Sequence, residues 1–120
     1  MDSKKAQQIL SDCLKKHQGL AEQLKEVGFV WPGSVTSRYL KCGKPNCVCH
    51  KDPASLHGPY LYWSTKVDGK TVSKAISGTE AKIVQEWVAN RVSLESIVEQ
   101  MKEVAKDALE AASQLLKEED

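Results

Sequence analysis

Apolar positions recur with a helical period at both ends of the chain and with a strand period in the middle. Over residues 3–27, Leu10, Cys13, His17, Leu20, Leu24 and Val27 follow one another at steps of three and four, with Leu14 and Ala21 beside them. That spacing predicts an amphipathic helix. Gly28 is placed to end it as a C′ glycine, and Gly19 is a weak point inside it. Phe29-Val30-Trp31-Pro32-Gly33 follows as an apolar connector with a turn at Pro32-Gly33. Trp31 is expected to plug the junction between the helix and the centre.

Residues 34–40 carry the β-branched and aromatic run Val35-Thr36-Ser37-Arg38-Tyr39 and read as a strand. A cysteine loop comes next, and residues 51–58 form a second loop. Residues 60–67 and 70–76 flank Asp68-Gly69, the dipeptide of a two-residue hairpin turn with positive φ at both positions. That turn fixes the register, pairing Leu61 with Ile76, Trp63 with Lys74 and Thr65 with Val72. These residues and Val67 share one face, expected to pack on a helix. Tyr60, Tyr62, Ser64 and Lys66 share the wetter face with Ser73 and Thr71.

Ser77-Gly78-Thr79-Glu80 has the form of a capping box and opens a helix to about Lys117. Leu94, Ile97, Met101, Val104, Ala108, Ala111 and Leu115 alternate steps of three and four, as a coiled-coil seam does. Ile83 and Trp87 extend it upstream, and Asn90-Arg91-Val92-Ser93 is a place for a bend. At about 1.5 Å per residue the first helix is much shorter than the second. It should therefore pack antiparallel along part of it and leave an overhang carrying Leu109, Leu115 and Leu116. A homodimer would cover that overhang; a frayed end at Lys117-Glu118-Glu119-Asp120 is the other outcome.

The expected architecture is α+β, one domain over 1–120. A helical arm (1–28) and a long helical arm (78–120) pack as antiparallel, coiled-coil-like arms. Between them, residues 29–77 hold a zinc knuckle and an antiparallel β-hairpin of two or three strands. An apolar content of 41% is enough for a core, though a thin one that a metal would staple.

The polar start gives no secretory signal, and no apolar run is long enough to span a membrane. The expected compartment is the cytoplasm, where clustered thiols bind metals in preference to forming disulfides. Charge is uneven beneath a net +1. Residues 34–74 hold seven bases against Asp52 and Asp68, whereas residues 79–120 hold ten acids against five bases. A basic centre points mildly to a polyanionic partner.

Chemistry concentrates in Cys42-Gly43-Lys44-Pro45-Asn46-Cys47-Val48-Cys49-His50 and the following His57-Gly58-Pro59-Tyr60. Three thiolates on a tight loop, with one histidine, make a four-ligand site for zinc. Iron–sulfur chemistry or plain thiols are the alternatives. Backbone amides of such a loop can bond the sulfurs, and Lys41 and Lys44 can offset their charge. The fourth ligand is His57, at a strand entrance, or His50, which would have to fold back sharply from Cys49. Cys13 and His17 read as seam residues of the first helix. The central module offers no paired acids and no phosphate-cradling loop, so no catalysis is expected and the metal is structural.

Arg38, Lys41, Lys44, Lys51, Lys66 and Lys70 interleave with Tyr60, Tyr62 and Trp63, a mixture suited to phosphate contact and base stacking in DNA or RNA. A two- or three-stranded ribbon entering a major groove is another mode. The plainer account makes the aromatics a small core and the lysines strand-edge gatekeepers.

Arg38-Tyr39, Cys42-Gly43, Cys47, Cys49, His57-Gly58-Pro59-Tyr60 and Lys66-Val67-Asp68-Gly69-Lys70-Thr71 together resemble a family of small uncharacterised prokaryotic and mobile-element proteins. It shares an RYxxCGxxxCxC stretch, then HGPY, a hairpin and a helical tail. The likeness covers about 31–87. It implies His57 as the fourth ligand and suggests a mobile-element or phage setting. The basic, aromatic centre and the helical arms leave two functions expected: a non-enzymatic zinc module that binds nucleic acid, or a protein-interaction adaptor whose long helix grips a partner protein.

Overall fold

The computed structural model describes residues 1–119; the last residue of the acidic end, Asp120, lies outside the described residues. The fold is α+β. Helix α1 (Ser3–Lys25) is followed by strands β1 (Ser34–Leu40), β2 (His57–Val67) and β3 (Lys70–Ala75), and then by helix α2 (Gly78–Glu119). The chain forms two compact units, one of residues 1–28 with 92–120 and one of residues 29–91. Among the described residues no helix is long and apolar enough to cross a membrane.

In the helical unit, Asp2 caps α1 by accepting the Lys5 N–H at 2.7 Å. The helix does not end on a left-handed Gly28. Its last turns tighten instead, as the Glu26 and Val27 N–H groups reach the carbonyls of Gln23 and Leu24. Ala6, Cys13 and Leu20 are buried on α1, and Ile97 and Ala111 on α2. Both sets fall on seven-residue spacing, so they form levels of one seam. His17, expected on that seam, stands exposed at its edge, where it shares a groove with Met101 and Val104.

The two helices run antiparallel: Met1 shares a groove with Ser113, Cys13 with Val104 and Ala108, and Gln23 with Ser96. The expected overhang at the end of α2 is therefore absent, because Met1, just ahead of α1, shares a groove with Lys117. The difference in full helix length does not produce an overhang, since the first fourteen residues of α2 belong to the other unit. Leu109 and Leu116 are exposed all the same, Leu109 in the groove it shares with Met1.

In the second unit the strands form an antiparallel sheet in the order β1-β2-β3. The hairpin register is the one its turn demands: Trp63 faces Lys74, Thr65 faces Val72, and the Ile76 N–H bonds the Leu61 carbonyl. Asp68 and Gly69 have φ of 51° and 80°, as a type I′ turn requires. Strand β2 begins three residues earlier than its apolar run, because Leu40 pairs with His57 across a bulge.

One face of the sheet meets the start of α2. Trp31 lies 5.7 Å from Trp63 and 6.3 Å from Trp87, centroid to centroid, and Phe29 lies 5.1 Å from Trp87. Ser77 caps α2 by accepting the Glu80 N–H, and Ala81, not Ile83, is buried there. Helix α2 continues unbroken through Asn90 and Arg91, and these two residues serve the connector. Asn90 donates to the Phe29 carbonyl, Arg91 to those of Trp31 and Gly33, and the Trp31 N–H bonds the Trp87 carbonyl. Gly33 (φ 84°) cannot be another residue cheaply, since a Cβ there would collide with the Ser64 carbonyl and the Trp63 indole nitrogen.

Candidate metal centre

The β1–β2 connection carries the cysteines, and strand pairing brings its two ends together. Leu40 opposite His57 puts Cys42 and the histidine at one end of the sheet. Between them the loop folds back in short steps. The Cys47 N–H bonds the Lys44 carbonyl, and a one-turn 3-10 helix over Val48–His50 returns Cys49 towards Cys42. Asp52 opens a second such turn, accepting from the Ala54 N–H and the Ser55 hydroxyl. Gly58 (φ 139°), followed by a cis bond to Pro59, packs so closely on β1 that a Cβ would lie 2.7 Å from the Arg38 carbonyl.

The Sγ atoms of Cys42, Cys47 and Cys49 and a ring nitrogen of His57 all lie within 4.8 Å of one another. Cys42 and Cys49 are 3.6 Å apart at sulfur, and Cys47 Sγ is 3.3 Å from His57 Nε2. A tetrahedral ion with zinc-like bonds would need edges of about 3.8 Å between sulfurs and about 3.6 Å between sulfur and nitrogen. All four cysteines of the chain are free thiols. The donor set and its spacing thus fit a metal ion of Cys3His type.

The surroundings treat the sulfurs unequally. Cys49 is buried, and that burial pushes its thiol up, aided by the sulfurs of Cys47 and Cys42 and opposed by the Cys42 N–H at 3.4 Å. Cys47 is drawn down to about 6, first by the Cys49 backbone N–H and then by the His57 ring. In the chain without metal one ligand is therefore already a thiolate near neutrality.

His50 is absent from this group. Its Nε2 lies 2.9 Å from the Cys42 carbonyl, and since a carbonyl only accepts, that nitrogen carries the proton. The ring holds the backbone of one ligand in place, a role that adjacency to Cys49 did not suggest.

The residues read as nucleic-acid contacts divide into three places. Arg38, Tyr60, Tyr62 and Lys66 share the face of the sheet away from α2, where Arg38 lies 4.5 Å from the Tyr62 ring centroid. Lys41, Lys44 and Lys51 belong to the knuckle. Lys70 pairs with Val67 and so sits on the opposite face from Lys66. Trp63 is a packing residue whose indole N–H bonds the Pro32 carbonyl at 2.7 Å.

No curated protein and no solved structure matches the chain. One family matches residues 10–86, so it takes in most of α1 as well as the knuckle, the hairpin and the first turns of α2. That span is well over half of the chain, which belongs to the family described as Domain of unknown function (DUF6788).

Proposed function

We propose that the chain is a non-enzymatic zinc-binding module that contacts nucleic acid through the open face of its sheet. Three thiolates and an imidazole at tetrahedral spacing select zinc among common cytosolic ions. Four protein ligands leave no coordination position for water or substrate, so the ion's work is structural. It joins the two ends of the β1–β2 connection and holds the knuckle against the sheet.

The observation that carries the nucleic-acid reading is the makeup of one surface: Arg38, Tyr60, Tyr62 and Lys66 share it with Ser, Thr and Ala, and no carboxylate stands on it. A divalent ion on three thiolates removes only one unit from the net +5 of residues 34–74, so the field remains positive. The resemblance to mobile-element proteins makes a phage or transposon setting, in the cytoplasm, the expected one.

The test is a mobility-shift titration of metal-loaded protein at low and moderate salt. Binding should weaken steeply as salt rises and should fall in the Lys44→Glu/Lys66→Glu double variant. A chain that shifts neither DNA nor RNA at low salt is not this kind of module.

A second reading, a homodimer or adaptor that grips a partner protein, is favoured by Leu109 and Leu116, which stand 69% and 63% exposed on one helix. Sedimentation of the wild type beside Leu109→Lys/Leu116→Lys separates the dimer from a monomer.

A further inference from the structure

We infer, resting on the nucleic-acid reading above, that the open face of the sheet takes single-stranded nucleic acid, with unpaired bases stacked on Tyr60 and on the Arg38–Tyr62 pair. The width of the sheet is the first reason. Three strands about 4.8 Å apart span about 10 Å between outer axes before any side chain is added. The major groove of B-DNA, about 12 Å wide, admits a helix or a two-stranded ribbon. Here the sheet has three strands, and its other face is already occupied by the tryptophan cluster and the start of α2. Only broadside contact is left, and the base edges of a duplex lie too deep for that.

The relief of the face is the second reason. Arg38 stands opposite Tyr60, and Tyr62 stands between Thr36 and Ala75. Ser64 is flanked by Ser34 and Ser73, and its hydroxyl bonds that of Ser73 at 2.7 Å. The aromatic pair therefore rises from a floor of small side chains. Tyr60 is 46% exposed, and the Arg38 guanidinium covers Tyr62. Planar groups of both kinds are the platforms on which splayed bases stack.

The third reason is where charge stands along β2. Tyr60 and Tyr62 are two residues apart on one face, about 7 Å, and Lys66 follows four residues further on the same face. Lys41 and Lys44 follow the other end, beyond β1. Of the two nearby acids, Asp52 is engaged in its turn with Ala54 and Ser55, and Asp68 stands beyond Lys66 at the hairpin tip. A phosphate chain laid along β2 would thus meet cations near both ends of its path and no carboxylate between them.

Fluorescence anisotropy tests this with metal-loaded protein against oligo-dT and oligo-U of about 15 nucleotides and a duplex of the same length. Either single strand should bind about tenfold or more tightly than the duplex, and the two strands tell DNA from RNA. Tyr60→Ala should weaken single-strand binding about tenfold and leave duplex binding unchanged, while Tyr60→Phe, which keeps the ring, should bind as the wild type. Metal content and the circular dichroism spectrum verify that each variant is folded. Equal affinity for both forms, or a preference for duplex, overturns the inference and leaves the nucleic-acid reading standing. Single-strand binding that ignores Tyr60→Ala overturns the stacking role. Binding to none of the three overturns the nucleic-acid reading, and this inference with it.

Discussion

The helical unit and the sheet unit are of similar length, yet they are held together by different means. In the helical unit, Ala6, Cys13, Leu20, Ile97 and Ala111 are buried at regular intervals, and the same contact repeats along a seam. In the sheet unit, the buried apolar residues among those described are Cys49 and Ala81. Of its larger side chains, Trp63 and Trp87 both pack on Trp31, and all three remain partly exposed. Fixed geometry there comes from directional bonds: the Trp63 indole on Pro32, Asn90 and Arg91 on the connector, and four soft donors gathered at the end of the sheet. Long helices can bury a stripe by repetition. Short strands joined by an irregular loop cannot, and a metal ion on the four gathered donors would supply what the core does not.

The strongest way to break this contrast is to remove the ion. Chelation, or Cys47→Ser, should release one bound metal per chain, read by elemental analysis, and sharply lower the urea midpoint of residues 29–91, read by the fluorescence of Trp31, Trp63 and Trp87. Structural zinc sites contribute on the order of 10 kcal/mol to folding, so no other change should act so strongly on this unit. Helical ellipticity should largely survive, because the seam of α1 and α2 contains no ligand. If ellipticity is lost together with the metal, the two units do not stand apart as argued.

The reverse experiment is Leu20→Ala. Leu20 is only 6% exposed and occupies one level of the seam. Its truncation should cost about 3 kcal/mol in urea unfolding, and metal content should be unchanged. A cost below about 1 kcal/mol would mean that the helices are held by something other than their seam.

How much of this was legible in the sequence depends on the range of the interaction. The Asp68-Gly69 turn set its register locally, so the partners of Trp63 and Thr65 followed from a dipeptide. The seam from Leu94 to Leu115 was legible because a helix repeats its own geometry. The α+β class followed from the two periods. What was not legible lay in contacts between distant segments. Asn90 and Arg91 interrupt the apolar pattern and looked like a bend; their partners are Phe29, Trp31 and Gly33, some sixty residues away. The division of Lys66 and Lys70 between two faces was written in the same turn, but a census of positive charge conceals it. The pairing of His57 with Leu40 needed the third strand in place, and spacing along the chain does not reveal it.

The smallest effect, and the sharpest probe of the knuckle itself, is the reactivity of its thiols once metal is removed gently enough to keep the loop folded. Cys47 is drawn down to about 6 from 9.0, so at pH 7 it is mostly thiolate, against about 1% for a thiol left at 9.0. A less basic thiolate is also a weaker nucleophile, and with a Brønsted slope near 0.45 most of the gain is lost; the net advantage at pH 7 is about fourfold. Its alkylation rate should rise as pH passes 6 and level off, whereas Cys49, buried and pushed up, should lag and keep gaining at higher pH. The same shift sets a sign for stability. A depressed thiol favours the folded, metal-free loop fully above pH 9, and that contribution fades as pH falls through 6. Cys49 acts in the opposite sense at high pH. Mass spectrometry of the chelated chain reads both rates at once, and two cysteines alkylated alike with an inflection near 9 would show that the loop holds no geometry without its ion.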